Sequence, residues 1–451
     1  MRKLILLVIP FILFAEPEGF NISANVLNFD KNNLHFENGF YLDHSFGKIY
    51  ANKAQFFNVK KISKLVDFEL KDNVKLITNT NAILTSDEAI FNALTSKIKF
   101  FSTDIVTFKD KIKNKDLKIT SKEVLCHLDT KNVMKTLNFE DIYSISFIEN
   151  TILSLENKMN IFAHLAIFEK KENSANIYLY PKENDVCKFN YEQSEILAKK
   201  AKLDVNNIDI CLTSVKGHIN NLVKKEHLVS FICEKLFWHN FENSFSLNEN
   251  VKVIDPTFGE IFSDHLEIIK KPKENAIRKI ISRKNTKINF FTKTRSSLAT
   301  DGIIELDHEK KRISAFSLKN QNHDLLYEDE NISISAKKAI LNYAEDKNIE
   351  YITLENSVKF KYKENKNLTG YGLADRIEYF PNENKIILQS DADKKVLFWQ
   401  EDNSLKLSAN EIHINPKEKK DIKGLGDVRF TFNLEEENLI HEIFSKYANY
   451  E

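Results

Sequence analysis

Glycine and proline are scarce in this 451-residue chain, with 10 and 7 residues respectively. Collagen-like and proline-rich fibres need a much larger share of both, so these classes are excluded. Cysteine is scarcer still: Cys126, Cys187, Cys211 and Cys233 are the four in the chain, and no two of them form a CxxC motif. A CxxC-based zinc or redox site is therefore excluded, and we expect buried free thiols rather than disulfides.

A surplus of charge of either sign is also missing. Lys and Arg together number 65, and Asp and Glu together number 65. Binding to nucleic acid normally requires a basic surplus, so we predict no nucleic-acid partner. Apolar residues make up 42% of the chain. This share is enough for a continuous core and excludes wholesale disorder.

The chain lacks an apolar run long enough to span a membrane, which takes about 20 residues. Its longest run is Leu4–Phe14, which follows Arg2 and Lys3 and precedes the small residue Ala15. This is the layout of a secretory signal peptide, so we expect residues 1–15 to be removed on export. An uncleaved membrane anchor is the alternative.

Motifs of the common enzyme classes are missing as well. No HExxH, GxSxG, P-loop or GxGxxG sequence occurs, and the histidines are scattered. Asp264-His265 and Asp307-His308 are adjacent acid–histidine pairs, but neighbouring residues of a strand point to opposite faces. We interpret both pairs as surface residues. The sequence predicts no enzyme, no cofactor and no metal site.

What the chain does have is an internal repeat of about 35 residues. Each copy has a small anchor residue, with apolar residues two positions before it and three and five positions after it. In the copy anchored at Ser86 these are Leu84, Ala89 and Phe91. About twelve copies fit this frame, and the one at Ala299 fits least well. The anchors are Ala24, Ala51, Ser86, Ser121, Ala163, Ala198, Cys233, Ser263, Ala299, Ala336, Ala374 and Ala409.

The frame predicts strands that bend at the anchor. Apolar residues follow a period of two on both sides of the anchor, but the parity slips by one between the two halves. A strand that keeps one face buried across such a slip needs a bulge or a corner. The residues at the slip are polar with no fixed charge, as in Asp87-Glu88 and Lys199-Lys200. A catalytic or metal site would require one chemistry, so we interpret Asp87 and Glu88 as a solvated corner.

The rest of each copy is also β in character. Turns rich in Asn, Asp and Lys follow the frame, then a second strand and a short V-x-F segment such as Val106–Phe108. We therefore predict an all-β fold, an elongated and continuous repeat array over residues 16–433. The copies are clearest in residues 16–128 and 320–433, which could form two sub-arrays.

The C-terminal segment, residues 434–451, is the one predicted helix. Its apolar residues, Leu439, Ile440, Ile443, Phe444 and Tyr447, share one face at helical spacing. We expect this short helix to cap the open edge of the last strand. A helix that docks onto a partner is the alternative.

Two segments, Leu405–Phe432 and Ala82–Phe108, resemble the OstA-like repeat of the lipopolysaccharide-transport proteins. In that family a small residue, two polar residues and an apolar strand precede a turn, a second strand and a V-x-F strand that follows glycine or aspartate. The residues that match the last element are Gly424, Gly426, Asp427, Val428 and Phe430. The resemblance is to the LptA-like periplasmic bridge and to the periplasmic N-terminal domain of the LptD-like translocon.

This resemblance implies a twisted β-jelly roll, open along one side, whose apolar interior carries lipid acyl chains. It implies a periplasmic bridge that carries lipopolysaccharide toward the outer membrane, stacked end to end with other transport proteins or with copies of itself. The candidate lipid-binding residues are the larger inward residues of the frame, and a closed core is the alternative for each of them. They are Phe56, Phe91, Phe168, Leu203, Trp238, Leu341 and Tyr379.

Two other functions remain open on the sequence. A structural or adhesive surface β-solenoid would also repeat, although such arrays usually have shorter coils. A β-helical carbohydrate enzyme would need a cluster of carboxylates on one ladder of strands, and the polar pairs at the slips are not uniformly acidic.

Overall fold

A computed structural model describes most of the chain. The described residues are 20–30, 32–59, 66–112, 115–133, 136–156, 158–171, 174–191, 194–220, 228–239, 244–256, 258–271, 277–291, 295–318, 324–345, 347–365, 368–391, 393–401, 405–415, 421–434 and 439–450. The predicted signal peptide at residues 1–15 lies outside them. The chain divides into two compact units, Met1–Val215 and Lys216–Glu451.

Every regular element of the described residues is a β-strand, which confirms the predicted all-β class. The strands that begin in the first unit are β1 Phe20–Asp30, β2 Asn33–His44, β3 Gly47–Ala51, β4 Lys53–Phe56, β5 Phe68–Thr78, β6 Ile83–Asn92, β7 Lys97–Ile112, β8 Lys115–Val133, β9 Thr136–Leu155, β10 Met159–Lys171, β11 Ser174–Tyr180, β12 Cys187–Tyr191, β13 Ser194–Asp204 and β14 Asp209–Asn220.

The second unit contains the remaining strands. They are β15 Leu228–His239, β16 Ser244–Asp255, β17 Gly259–Lys270, β18 Ile277–Arg283, β19 Thr286–Phe290, β20 Ser296–Thr300, β21 Ile303–Asp307, β22 Arg312–Phe316, β23 Leu325–Glu328, β24 Ile332–Ala336, β25 Lys338–Tyr343, β26 Ile349–Asn365, β27 Leu368–Phe380, β28 Lys385–Gln389, β29 Val396–Gln400, β30 Leu405–Ala409, β31 Glu411–Asn415, β32 Asp421–Leu434 and β33 Leu439–Tyr450.

Bent antiparallel strands build both units. In the first unit, one half of β2 pairs with β3 and the other half pairs with β4, so β3 and β4 are the two halves of one bent strand. The two halves of each bent strand lie in different layers around a shared interior. The Phe108 and Phe168 rings, from opposite layers of the first unit, lie 6.4 Å apart, and those of Tyr327 and Tyr379 in the second unit lie 6.2 Å apart.

The anchor frame matches the buried face of the strands. In the Ser86 copy, Leu84, Ser86, Ala89 and Phe91 are all buried. The frame residues are likewise all buried in the copies anchored at Ala51, Ser121, Ala198, Cys233, Ser263, Ala336, Ala374 and Ala409. The parity slip is the corner itself: the pairing of β6 with β7 shifts register between Thr85 and Glu88. The predicted repeat of bent strands is therefore confirmed.

In the copy that fits least well, the frame predicted around Ala299 is one residue out of register with the buried residues of the strand. In β20 the buried residues are Ser296, Leu298 and Thr300, whereas Ala299 is only half-buried. The pairing of β20 with β19 sets Leu298 opposite Ile288, which faces the interior. The sequence could not show this because threonine occupies the anchor position here, whereas the other anchors are Ala, Ser or Cys.

Seven of the alternate strands turn their corners with a different device, which the sequence reasoning missed. Two consecutive residues there adopt positive φ, as at Asp72-Asn73 (65° and 59°). The same pairs occur at Glu149-Asn150, Glu249-Asn250, Lys284-Asn285 and Asn356-Ser357, and with glycine at Asn38-Gly39 and Gly426-Asp427. Asn and Asp tolerate this left-handed conformation better than other non-glycine residues. The recurring signal is thus a polar pair, usually with Asn, before an apolar residue or threonine.

This corner gives a stability prediction. We expect Asn73→Val to lower the free energy of unfolding by about 1–2 kcal/mol, because a β-branched residue is strained at positive φ. Asn73→Gly should leave the free energy of unfolding nearly unchanged, because glycine adopts this conformation without strain. Urea titration of both variants measures the difference, and equal stability of the two would contradict the role given to this corner.

The predicted C-terminal helix is wrong: residues 439–450 form strand β33. This strand pairs with β32 over its whole length, from Leu434 opposite Leu439 to Ile422 opposite Tyr450. An unpaired β32 edge would leave its backbone N–H and C=O groups without partners, and a hairpin satisfies them. The apolar residues that would share one face of a helix do not share one face of this strand. Ile443 and Phe444, for example, are neighbours and point to opposite sides of the sheet.

Candidate functional site

In the first unit, the candidate lipid-binding residues point into the interior. Phe56, Phe91 and Leu203 have exposed fractions of 4%, 1% and 1%. Phe168 is half-buried. Each lies at the same position of the repeat, five residues after the anchor, so the bent strand turns all of them toward the same face.

Phenylalanine rings form a continuous ladder across neighbouring strands of this interior. The ring centroids of Phe56 and Phe68 lie 5.1 Å apart, and those of Phe68 and Phe91 lie 4.9 Å apart. Phe36 and Phe40 extend the ladder, with centroids 5.4 and 5.7 Å from that of Phe56. Such contacts fill the interior, so an acyl chain could enter only where these rings move apart.

The second unit holds the other three candidates. Trp238, Leu341 and Tyr379 have exposed fractions of 5%, 0% and 1%. Trp238 packs on Phe245, with ring centroids 5.1 Å apart. The seven candidates are thus distributed along two interiors and do not converge on one pocket.

Sequence reasoning missed the buried tyrosines of the second unit. Tyr327, Tyr343 and Tyr362 are buried there beside Tyr379, whereas the buried aromatic residues described in the first unit are all phenylalanine. Burial raises the pKa values of the Tyr343 and Tyr379 hydroxyls well above the ordinary value of tyrosine. Their hydroxyls therefore stay protonated, and this interior holds phenol groups among its apolar side chains.

The Asp87 carboxylate holds a corner and lies in solvent. It accepts hydrogen bonds from the hydroxyls of Ser102 (2.5 Å) and Thr103 (3.1 Å) and from the backbone N–H of Thr103 (3.0 Å). These bonds, with that of Ser102 the largest effect, lower the pKa of the Asp87 carboxyl. The carboxylate therefore braces the bend of the neighbouring strand, as the interpretation of a solvated corner expected.

The Asp307-His308 pair is not at the surface, which corrects the interpretation from the sequence. Asp307 has an exposed fraction of 4% and accepts backbone N–H bonds from Glu309 and Lys310, both at 3.1 Å. It caps the turn between β21 and β22. The pair was misjudged because the aspartate closes a turn, where side chains do not alternate as they do in a strand.

His308 gives a pH prediction. Burial lowers its pKa to about 4, and Nδ1 lies 3.4 Å from the Tyr343 hydroxyl. The unfolded chain takes up this proton near pH 6.5, so it binds more protons than the folded chain between pH 6.5 and 4. The free energy of unfolding should therefore fall as the pH falls through this window, by at most about 3 kcal/mol from His308.

Urea titrations across this window, on the native chain and on His308→Gln, measure the effect. The variant lacks the titrating group and should lose less stability between pH 6.5 and 4. His35→Gln, a change on the outward side of β2 between the buried-face residues Leu34 and Phe36, is the control. A His308→Gln profile parallel to the native one would contradict the prediction.

The four cysteines are thiols and are not joined in disulfides. Cys126, Cys187 and Cys233 are buried and Cys211 is half-buried. Burial raises the pKa of the Cys187 and Cys233 thiols to about 12, so neither is a thiolate at neutral pH. Within the described ranges, no group of three or more His, Cys, Asp or Glu residues could hold a metal ion, and no helix is long and apolar enough to cross a membrane.

The first and last described strands leave apolar residues uncovered. In β1, Leu27 and Phe29 have exposed fractions of 43% and 65%, although they pair with the inward residues Phe36 and Leu34 of β2. In β33, Ile443 lies opposite the buried Phe430 and is 49% exposed. Among the described strands, β1 pairs with β2 alone and β33 with β32 alone.

One family of known proteins matches part of the chain. Residues 328–420 match the model of the LptA/(LptD N-terminal domain) LPS transport protein. The predicted resemblance is confirmed over this range, which includes the start of the Leu405–Phe432 segment. No curated protein matches the chain in sequence.

A solved structure also aligns with the chain. It is the crystal structure of LptH, the LptA homologous periplasmic component of the conserved lipopolysaccharide transport device from Pseudomonas aeruginosa. The identity is 12%, the alignment covers 33% of this chain and 94% of LptH, and the TM-score is 0.25. A likeness at this level supports no statement about function.

Proposed function

We propose that this chain is a periplasmic lipid-binding protein that carries lipopolysaccharide toward the outer membrane. The observation that carries the proposal is the repeated inward apolar face, which continues from strand to strand within each unit. The family match supports it, because residues 328–420 cover β24 to β31 and include Leu341 and Tyr379.

The lipid's acyl chains would bind by displacing the contacts that now close the interior. Burial of the acyl chains would favour binding by about 25 cal/mol for each Å² of apolar surface removed from water. Against this stands the loss of ring contacts such as Phe68–Phe91, at 4.9 Å. Because the gain from burying the acyl chains and the loss of ring contacts oppose each other, binding would be reversible. The saccharide part of the lipid would stay in water while the acyl chains slide along the inner face.

The exposed apolar residues of β1 and β33 suggest how partners would join. A further strand on the free edge of β1 or β33 would satisfy that edge and cover Leu27 and Phe29, or Ile443. End-to-end contact with other transport proteins, or with a second copy of this chain, would extend the inner face. Passive binding has no direction of its own, so such partners would supply it.

Native mass spectrometry tests the proposal. The full chain, exported to the periplasm of a lipopolysaccharide-producing bacterium and purified in mild detergent, should carry an added mass that fragments into acyl chains and phosphorylated saccharide. A chain purified in the same way from the cytoplasm is the control. Absence of glycolipid on the exported, folded chain would contradict the proposal and favour a structural β-array.

A further inference from the structure

The outer face of one sheet in the second unit carries an apolar and aromatic centre. On β27 and β29, Leu373 lies opposite Leu397, and Tyr371 lies opposite Trp399. These residues alternate with the inward Gly372 and so lie on the side of the sheet away from the interior. Leu373 and Leu397 are 38% and 42% exposed.

The two aromatic rings are stacked, with nearly parallel planes. The ring centroids of Tyr371 and Trp399 lie 5.9 Å apart with an interplanar angle of 19°. The Lys361 ammonium nitrogen lies 5.4 Å from the Tyr371 ring centroid. Stacked rings beside a cation form a rigid, partly apolar platform whose edge is positively charged.

Cations flank this centre on both sides. On β26, Lys359 and Lys361 lie opposite Leu373 and Tyr371. On the other side, Lys406 of β30 lies opposite Trp399, and Arg429 lies opposite Ser408 in the next strand. From β26 to β30 there are three strand spacings, so the cations of the two sides are about 14 Å apart.

A cavity of about 480 Å³ opens on the same face. Its outward lining residues are Leu397, Trp399, Lys406, Ser408, Arg429 and Thr431. The Arg429 guanidinium lies 5.6 Å from the Phe444 ring centroid and pairs with the Glu442 carboxylate. Ligand sites in proteins combine such an apolar wall with a few polar groups that fix orientation.

We propose that this face binds an anionic saccharide. A sugar ring would stack on Tyr371 and Trp399, and hydroxyls of Ser408 and Thr431 would bond to the ring hydroxyls. Lys406 and Arg429, with Lys361 across the platform, would hold phosphate, sulfate or carboxylate groups at the ends of the ligand through charge-assisted hydrogen bonds. The site lies outside the interior and does not depend on lipid binding there.

Charge and geometry favour this ligand over a protein strand. A peptide that joins a sheet does so at a free edge through backbone hydrogen bonds. Here β27 and β29 have described partners on both sides, so their exposed surface is a face. Lys359, Lys361 and Lys406 flank the aromatic centre, and Arg429 beside them shares its charge with Glu442. These cations favour a ligand with at least two negative groups.

The test uses a trisulfated heparin disaccharide as the probe, with the unsulfated disaccharide and poly-glutamate for comparison. The chain has 2 tryptophans, and Trp238 is buried in the interior. Fluorescence quenching on binding therefore reports on Trp399, and calorimetry on the full chain gives the affinity. We expect saturable quenching by the sulfated disaccharide and at least tenfold weaker binding of the unsulfated one.

Variants separate a saccharide site from a general anion patch. Lys406→Glu and Trp399→Ala should each weaken binding at least tenfold, and Trp399→Phe should retain most of it. Lys109→Glu, an outward exposed change on β7, should bind as the native chain does. Each variant must keep the β-sheet circular dichroism spectrum and the cooperative melt of the native chain. If Lys406→Glu fails to fold by these criteria, Lys361→Glu replaces it as the charge-reversal variant.

Three results would overturn the proposal. The first is no binding of the sulfated disaccharide by the native chain. The second is an unchanged affinity in the folded charge-reversal variant of Lys406 or Lys361. The third is binding of poly-glutamate as tight as that of the disaccharide and unaffected by Trp399→Ala, which would mean a charged surface without a saccharide site.

Discussion

Replacing Ala198 by arginine should abolish lipid capture and lower the free energy of unfolding by several kcal/mol, because an unpaired charge would enter an apolar interior. Ala198 is fully buried, with an exposed fraction of 0%. It lies opposite the buried Cys187 of β12 and precedes the corner of β13. The small anchor leaves no room for a guanidinium, so the side chain must either occupy the proposed lipid path or break the bend.

The neighbouring residue provides the control. Leu197 lies on the opposite face of the same strand, across from Lys188. Leu197→Arg should melt close to the native chain and retain bound lipid. Thermal melts by circular dichroism come first, since lipid capture is interpretable only for a variant that stays folded. Equal lipid capture by a folded Ala198→Arg variant and the native chain would contradict an inner lipid path.

Phe68→Ala should lower the free energy of unfolding by about 3–5 kcal/mol, the usual cost of removing a buried phenyl ring. Phe68 has an exposed fraction of 0% and lies between Phe56 and Phe91 in the ladder of rings. The lost ring would leave a cavity lined by both neighbours, because the strands that carry them are fixed by their own pairings.

Phe162→Ala is the matched control, since Phe162 is 38% exposed. Its replacement should lower the free energy of unfolding by less than about 1 kcal/mol. Urea titration of the two variants gives the comparison. If Phe68→Ala costs no more than Phe162→Ala, the ladder is not a packed element of the interior.

Much of the fold could be predicted because the same pattern of apolar residues recurs in each copy of the repeat. The anchor frame around Ser86 marks the buried residues and the corner at once, and the same spacing recurs with many different side chains. Periodicity of apolar residues reports which face is buried. It therefore predicted that Phe91 and Leu341 point inward and that Asp87 lies in solvent.

Other features could not be predicted because their causes are non-local. The apolar residues of the C-terminal segment have the spacing of a helix, yet the segment forms a strand because it pairs with the edge of β32. The corner at Asp72-Asn73 depends on backbone conformation that apolar patterning does not report. The outer patch around Trp399 arises only when β27, β29 and β30 lie side by side, although the residues are distant in sequence.

The most direct test of an inner lipid path is site-specific photo-crosslinking in the periplasm of a lipopolysaccharide-producing bacterium. A photo-reactive residue at position 91, which is 1% exposed and faces the interior, should capture lipopolysaccharide. The same residue at Asp87, in the solvated corner, or at Ile90, which is 38% exposed on the outer face, should capture little or none. Equal capture at all three positions, or none at position 91 with lipid present, would show that the repeat encloses a closed core and would contradict lipid transport by this face.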